Sequence, residues 1–162
     1  MDVHRINAAA EAIERRCRQD FPESFNGMKI DRSTGRIVVF RGDDVSVDEA
    51  IGAAFPDLDV AFRPGGHSRQ ALEAIRARVE QDRDYWRQRG VEIPGLRIAA
   101  DGSGVEIGTP QADTAARLLE ERYGPEYVFV RKSSPVLLQP FRGPVPGISR
   151  DDPYGRRRGS AP

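Results

Sequence analysis

The chain holds one cysteine, Cys17, and two histidines, His4 and His67, and the spacing of its reactive side chains limits the chemistry open to it. One cysteine excludes an intrachain disulfide and any Cys-cluster zinc site. The histidines lie far apart in sequence and leave little room for a histidine-based metal or catalytic centre. His67 has Ser68 beside it but no acid-and-nucleophile pattern. Pro64-Gly65-Gly66-His67 is Gly-rich yet lacks the lysine of a phosphate-binding loop and any strand–GxGxxG–helix context, so it reads as a loop that turns the chain. Gly102-Ser103-Gly104 sits in a hairpin without the G-x-S-x-G frame of a nucleophile elbow. Asp43, Asp44, Asp48 and Glu49 gather where a helix should start, and carboxylates there complement its dipole. Asp57 and Asp59 are either the solvent face of a strand or a weak Ca²⁺ site. Arg41-Gly42-Asp43 spells an adhesion tripeptide, a chance match in an Arg- and Gly-rich chain. Tyr85 and Trp86, set among Asp82, Asp84, Arg87 and Arg89, are either a recognition anchor or a core plug, and the second is preferred: Trp86 closes the core and Tyr85 stacks on arginine. No catalytic residue, metal or cofactor is assigned, and the chain reads as a non-enzyme.

The elements that carry these residues repeat. Residues 27–63 align with residues 95–131 at a constant offset of 68 without gaps. The pairs include Gly27/Gly95, Met28/Leu96, Lys29/Arg97, Ile30/Ile98, Ile37/Val105, Val39/Ile107, Ile51/Leu119, Phe55/Tyr123, Val60/Val128, Phe62/Val130 and Arg63/Arg131. In the first copy Met28 and Ile30 alternate with polar neighbours as in a half-buried strand. Arg32-Ser33-Thr34-Gly35 is a tight turn, and Arg36 to Arg41 is the second strand of a hairpin. Ser46 and Glu49 have capping-box spacing, Val47, Ala50, Ile51, Ala54 and Phe55 share a helical face, and Pro56 ends the helix. Leu58 to Arg63 is a third strand. In the second copy Leu96 to Ala99 and Val105 to Gly108 form the hairpin around Asp101-Gly102-Ser103-Gly104. Thr109 is the expected cap and Pro110 the first helical residue. Ala115, Leu118, Leu119 and Tyr123 give the apolar face, Gly124 the stop and Tyr127 to Arg131 the third strand. Each copy is β-β-α-β, with a right-handed crossover and an expected strand order of 2-1-3.

Residues 68–89 predict one long helix between the copies, capped by Ser68 and stopped by Gly90, with Leu72, Ile75, Val79 and Trp86 as its stripe. An N-terminal helix from about His4 to Arg18 groups Ile6, Ala9, Ala10, Ile13 and Cys17, which makes Cys17 a core thiol. The fold class is α+β: two tandem β-β-α-β repeats, each a three-stranded sheet with a helix, joined by a long helix, plus an N-terminal helix and an extended C-terminal tail. The parts are 1–26, 27–67, 68–94, 95–133 and 134–162.

Charge separates body from tail. Residues 1–131 carry 19 basic and 23 acidic side chains, residues 132–162 six basic and two acidic, in a chain of zero formal charge. Zero net charge argues against strong global attraction to nucleic acid or membrane. Six prolines favour extended chain in the tail. The start, MDVHRINAAAEAIERRC, lacks the basic-then-apolar order of a secretory signal, so a cytoplasmic protein is expected, with a secreted one as the alternative. No apolar run reaches the roughly 18 residues of a membrane span. Arg outnumbers Lys 23 to 2, which fits GC-rich coding.

Residues 25–39, FNGMKIDRSTGRIVV, are similar to the F-x-G-x-x-x-D-x-x-T-G-x-(L/I)-V-V opening of the pro-regions of secreted bacterial trypsin-fold serine proteases, the streptogrisin and α-lytic type. The order of elements over roughly residues 10–131 resembles that family too, and the chain looks like a stand-alone actinobacterial relative. In that family the pro-region folds and inhibits its own protease, adding sheet to a protease hairpin and laying its tail in the cleft. Read as a stand-alone relative, the chain is expected to lack that family's protease domain and signal peptide, and its tail runs on to Pro162.

The resemblance implies a non-catalytic protein-binding module that docks a partner, such as a trypsin-fold protease, through a sheet edge and the extended tail. Tyr127, Phe129 and Arg131 would form the edge, and Val136, Leu138 and Phe141 would follow it into a groove or fold back on the body. The alternative is weak nucleic-acid or acidic-partner binding through Arg156, Arg157 and Arg158.

Overall fold

The computed structural model describes residues 2–134. Its elements are α1 (Val3–Asp20), β1 (Phe25–Asp31), β2 (Arg36–Arg41), α2 (Ser46–Ala54), β3 (Val60–Pro64), α3 (Arg69–Gln81), α4 (Arg83–Arg87), β4 (Gly95–Ile98), β5 (Val105–Thr109), α5 (Ala112–Tyr123) and β6 (Val128–Lys132). They build an α+β fold with two three-stranded sheets.

The offset of 68 holds residue by residue in the strand pairing. In the first sheet Met28 faces Val39, Ile30 faces Ile37, Ile37 faces Val60 and Arg41 faces Pro64. Each number raised by 68 gives a pair in the second sheet: Leu96 with Ile107, Ile98 with Val105, Val105 with Val128, Thr109 with Lys132. The expected strand order was wrong. It is β1-β2-β3 and β4-β5-β6, with the third strand parallel to the second. The helical crossover joins β2 to β3, and consecutive strands of a β-α-β unit pair directly. Burial favours the same choice. In the central strands Ile37, Val39, Val105 and Ile107 are all buried.

Each sheet packs one face under two helices. Ile6, Ala10, Ile13 and Cys17 of α1 and Val47 and Ile51 of α2 close over Ile37 and Val39. Leu72, Val79 and Trp86 of α3 and α4, with Ala115, Leu119 and Tyr123 of α5, close over Val105 and Ile107. The helix between the copies is therefore more than a connector, because it covers the second sheet as α1 covers the first. Their caps agree: Asp2 accepts from His4 N, and Ser68 Oγ accepts from Ala71 N at 3.2 Å. The repeating unit is α-ββαβ, one helix longer at its start than the sequence alignment shows.

Four local expectations differ. The helix of 68–89 breaks at Asp82, which takes φ −88° and ψ 6°. Asp82 Oδ2 accepts from Arg122 Nε at 2.9 Å and from Tyr123 Oη at 2.8 Å, and this tie to α5 holds the break. Ser46 is not a cap. It is the first residue of α2, and Asp44 Oδ1 accepts from its N–H and hydroxyl at 3.0 and 2.6 Å. Thr109 belongs to β5, and α5 begins at Ala112, two residues past Pro110. Leu118 is 53% exposed. The buried stripe runs Ala115, Leu119, Tyr123, and Leu118 stands about 100° round the helix from Leu119.

The units meet through backbone. Gly66 N donates to Asp101 O at 3.1 Å and His67 N to Gly102 O at 2.7 Å, so the Gly-rich loop is docked on the second hairpin. A Cβ on Gly66 would overlap the Gly102 carbonyl, and Gly102 itself takes φ 74°. Asn26, where the β1–β2 register shifts, is buried at this junction. Arg18 bridges to Glu73 at 2.8 Å across it.

Candidate functional site

The expected docking edge begins with Tyr127, one residue before β6. Tyr127 is half-buried, and its ring centroid lies 4.5 Å from that of His67. His67 Nε2 is 2.8 Å from the Glu126 carbonyl. The Gly-rich loop thus holds the start of β6, a contact the sequence did not reveal because it spans 59 residues.

Among the described residues the strand β6 has one hydrogen-bonded neighbour, β5. Val105 N donates to Tyr127 O at 2.7 Å and Ser133 N donates to Thr109 O at 3.1 Å. In a parallel ladder with these ends, the peptide groups of Phe129 and Arg131 turn to β5, and those of Val130 and Lys132 turn outward. The edge of the first sheet has the same phase. There the residue matching Lys132 is Pro64, which has no N–H to offer. One edge is blunted by proline and the other keeps its donor.

Phe129 and Arg131 both lie on the sheet face opposite the helices. Phe129 is half-buried over Gly104, whose missing side chain leaves room for its ring. Arg131 is two-thirds exposed, and its Nη2 lies 3.4 Å from Glu106 Oε2 on β5. The same carboxylate accepts from Arg97 Nη2 of β4 at 2.8 Å. The bond from Arg97 holds the Glu106 carboxyl below the usual range, with Arg131 adding to the effect. Beyond the edge, Lys132 Nζ pairs with Asp113 at 2.9 Å. The structure therefore sets Phe129 and Arg131 on β6 and Tyr127 in the turn just before it. Val136, Leu138, Phe141, Arg156, Arg157 and Arg158 lie outside the described residues.

The other candidates are taken up by packing. Trp86 is buried, and its Nε1 donates to Tyr123 Oη at 2.8 Å. Tyr85 stacks against Arg89 at 3.5 Å and Arg122 at 4.1 Å, as the core-plug reading expects. Burial pushes the Tyr123 hydroxyl up to about 12. It does the same to the Cys17 thiol, also up to about 12, so Cys17 stays protonated and packed in the core. Asp59 pairs with Arg36 at 2.9 Å, just ahead of β3. Ser103 N donates to Asp101 Oδ1 at 3.0 Å, closing a hairpin turn. Among the described residues no group of three or more His, Cys, Asp and Glu side chains forms a metal-holding arrangement. No helix among them is long and apolar enough to cross a membrane.

No protein-family model and no curated protein matches the chain. What sequence reasoning missed is the Arg97–Glu106–Arg131 arrangement. Its signal was present in the pairs Lys29/Arg97 and Arg63/Arg131, but with the wrong strand order these residues did not flank the strand that carries Glu106.

Proposed function

We propose that the protein is a non-catalytic protein-binding module that takes a partner's extended segment on the edge of β6, with the chain beyond Ser134 running on from that edge to the partner. The observation that supports this best is the edge itself, which has no strand on its outer side among the described residues. Val130 and Lys132 direct backbone groups away from the sheet, and Phe129 and Arg131 stand beside them to read side chains. Main-chain hydrogen bonds supply affinity in such strand addition, and flanking side chains supply selectivity. A trypsin-fold serine protease is the partner suggested by the resemblance of residues 25–39 to protease pro-regions. The reading places the protein wherever such a partner is found, secreted or cytoplasmic.

The test is inhibition and assisted refolding of a trypsin-fold protease by the full chain and by a chain ending at Ser133. The full chain should slow hydrolysis or raise refolding yield at micromolar concentration, and the shortened chain should do so less well. If neither chain does either, the protease partner is wrong. Val130→Pro, which deletes an outward N–H at the edge, should weaken capture of any strand-adding partner by about tenfold.

A further inference from the structure

The second sheet shows what the first one lacks. On the helix-free face of the second sheet, the Glu106 carboxylate sits at the centre of β5 between Arg97 of β4 and Arg131 of β6. Adding the offset of 68 in reverse gives Lys29 for Arg97, Arg63 for Arg131 and Val38 for Glu106. The register is the same: Lys29 pairs with Val38 as Arg97 pairs with Glu106, and Phe40 pairs with Arg63 as Gly108 pairs with Arg131. The first sheet therefore keeps the two cations of the frame and replaces the carboxylate between them with a valine.

Among the described residues neither Lys29 nor Arg63 has an ion-pair partner. Arg63 Nη1 donates only to the Phe62 carbonyl, at 3.3 Å. The nearby acids are engaged elsewhere. Asp31 accepts from the N–H and hydroxyl of Ser33, and Asp59 pairs with Arg36. Asp101, across the junction, lies close enough to feel the Lys29 charge, but it is tied to Ser103. Lys29, Arg36, Val38, Phe40 and Arg63 line one shallow depression on this face, with the Ser33-bound Asp31 at it too. Phe40 stands where the second sheet has Gly108. It is half-buried, with Lys29 Nζ 5.7 Å from its ring centroid.

We infer that the helix-free face of the first sheet is a second binding site, which takes a carboxylate from an acidic, extended peptide segment of a partner protein, held between Lys29 and Arg63 with an apolar neighbour on Phe40. The internal example specifies the ligand: the group that fills this frame in the second sheet is a glutamate on a strand. Single-stranded nucleic acid fits less well. Tracking its backbone needs a run of cations and several stacking rings, and this face offers one aromatic. The site lies on the other sheet from β6 and does not rest on the docking role of that edge.

The binding is exposed and salt-screened, so it should be weak and should weaken further as salt is raised. The probe is a fluorescein-labelled octapeptide of alternating Glu and Val, titrated with the full chain by anisotropy and compared with a Lys-Val octapeptide and labelled oligo-dT. The Glu-Val peptide should bind once per chain and the other two at least tenfold more weakly. Val38→Glu installs the second sheet's own carboxylate and should reduce binding at least tenfold while the circular dichroism spectrum is kept. Glu106→Val frees Arg97 and Arg131 and should raise the stoichiometry from one towards two. Should Val38→Glu misfold, the surface pair Lys29→Gln with Arg63→Gln decides, and it should lose binding to the same extent. Undiminished binding by the folded Val38→Glu variant or the Gln pair, tighter binding of oligo-dT, or absence of Glu-Val binding would each overturn the site. Apart from the Glu106→Val stoichiometry, which uses Arg131 of β6, these readouts do not involve the β6 edge, so Val130→Pro should leave them unchanged.

Discussion

The two α-ββαβ units share a register to the residue, yet they close their cores differently. The first is sealed by apolar packing: Ile13, Cys17, Val39, Val47 and Ile51 are all inaccessible, and Phe25 is buried with them. The second adds a polar chain inside its helix pair, running from Trp86 Nε1 to Tyr123 Oη to Asp82, with Arg122 on the same carboxylate. Phe55 occupies the position of Tyr123 in the first unit and has no hydroxyl to continue such a chain. The edges differ too, with Pro64 at one and Lys132 at the other, and so do the helix-free faces, with Val38 at one centre and Glu106 at the other. The shared register thus preserves the fold, while single positions within it set how open each edge and face is to a partner.

The strongest way to break the equivalence is a charge in each core. Ile51 and Leu119 are matched positions, and both are fully buried. Ile51→Asp and Leu119→Asp should each cost about 3 kcal/mol or more, since an unpaired carboxylate is left in an apolar site. Urea unfolding followed by circular dichroism measures the loss. Equal costs and a single transition mean that the units unfold together through their junction. Two transitions, each moved by only one variant, would mean that each unit stands alone.

The junction is tested by glycine. Gly66→Ala puts a Cβ against the Gly102 backbone, where neither side can yield, and should cost about 2 kcal/mol. Gly52, in the middle of α2, has open space around it and is matched by Glu120 in α5. Gly52→Ala should stabilise the chain by roughly 0.5–1 kcal/mol. Opposite signs from the same substitution would separate close approach from chain entropy. A neutral Gly66→Ala would show that the loop leaves the hairpin in solution.

Much of this contrast was legible beforehand, and the reasons it was not complete are local. The offset of 68, both hairpins, the buried Cys17 and the core role of Trp86 follow from apolar periodicity, which records burial. Strand order does not follow, because periodicity gives the face of a strand and not its neighbours. Reading β1 as central hid the relation of Lys29 and Arg63 to Val38. The break at Asp82 was missed for a similar reason, since it depends on Arg122 and Tyr123, about 40 residues away. The caps at Ser46 and Thr109 failed because Asp44 takes the Ser46 N–H and Thr109 Oγ1 accepts from Gln111 N ahead of the helix, and spacing alone cannot choose between adjacent candidates.

The polar chain of the second unit predicts a pH response that the first unit does not share in that form. The bond from Arg122 holds the Asp82 carboxyl below its usual range, with Tyr123 contributing. A depressed folded pKa means stability that is present above the unfolded value near 4 and is lost as pH falls through the folded one. Asp82→Asn should lower stability at pH 7 by about 1 kcal/mol and flatten the loss as pH falls below about 4. Chemical denaturation across that range measures it. A variant that keeps the wild-type slope would assign the acid sensitivity to the other depressed carboxyls, Asp31, Asp44, Glu73, Glu80, Asp101 or Glu106.

The smallest expected effect concerns the helix face that sequence reading misassigned. Leu118 is 53% exposed on α5, and its counterpart in α2 is Ala50. With water over the side chain, Leu118→Gln removes little burial and should change stability by less than about 0.5 kcal/mol. The value of the measurement lies in making it twice, on the full chain and on a chain ending at Ser133. Equal small effects place Leu118 on open surface, with the β6 edge and its helix free for a partner. A cost above about 1 kcal/mol in the full chain alone would mean that residues beyond 134 cover α5, because burial of a leucine contributes on that order. Val136, Leu138 and Phe141 would then be part of the second unit's own packing, and the proposed docking mode would have to release them before a partner could use them.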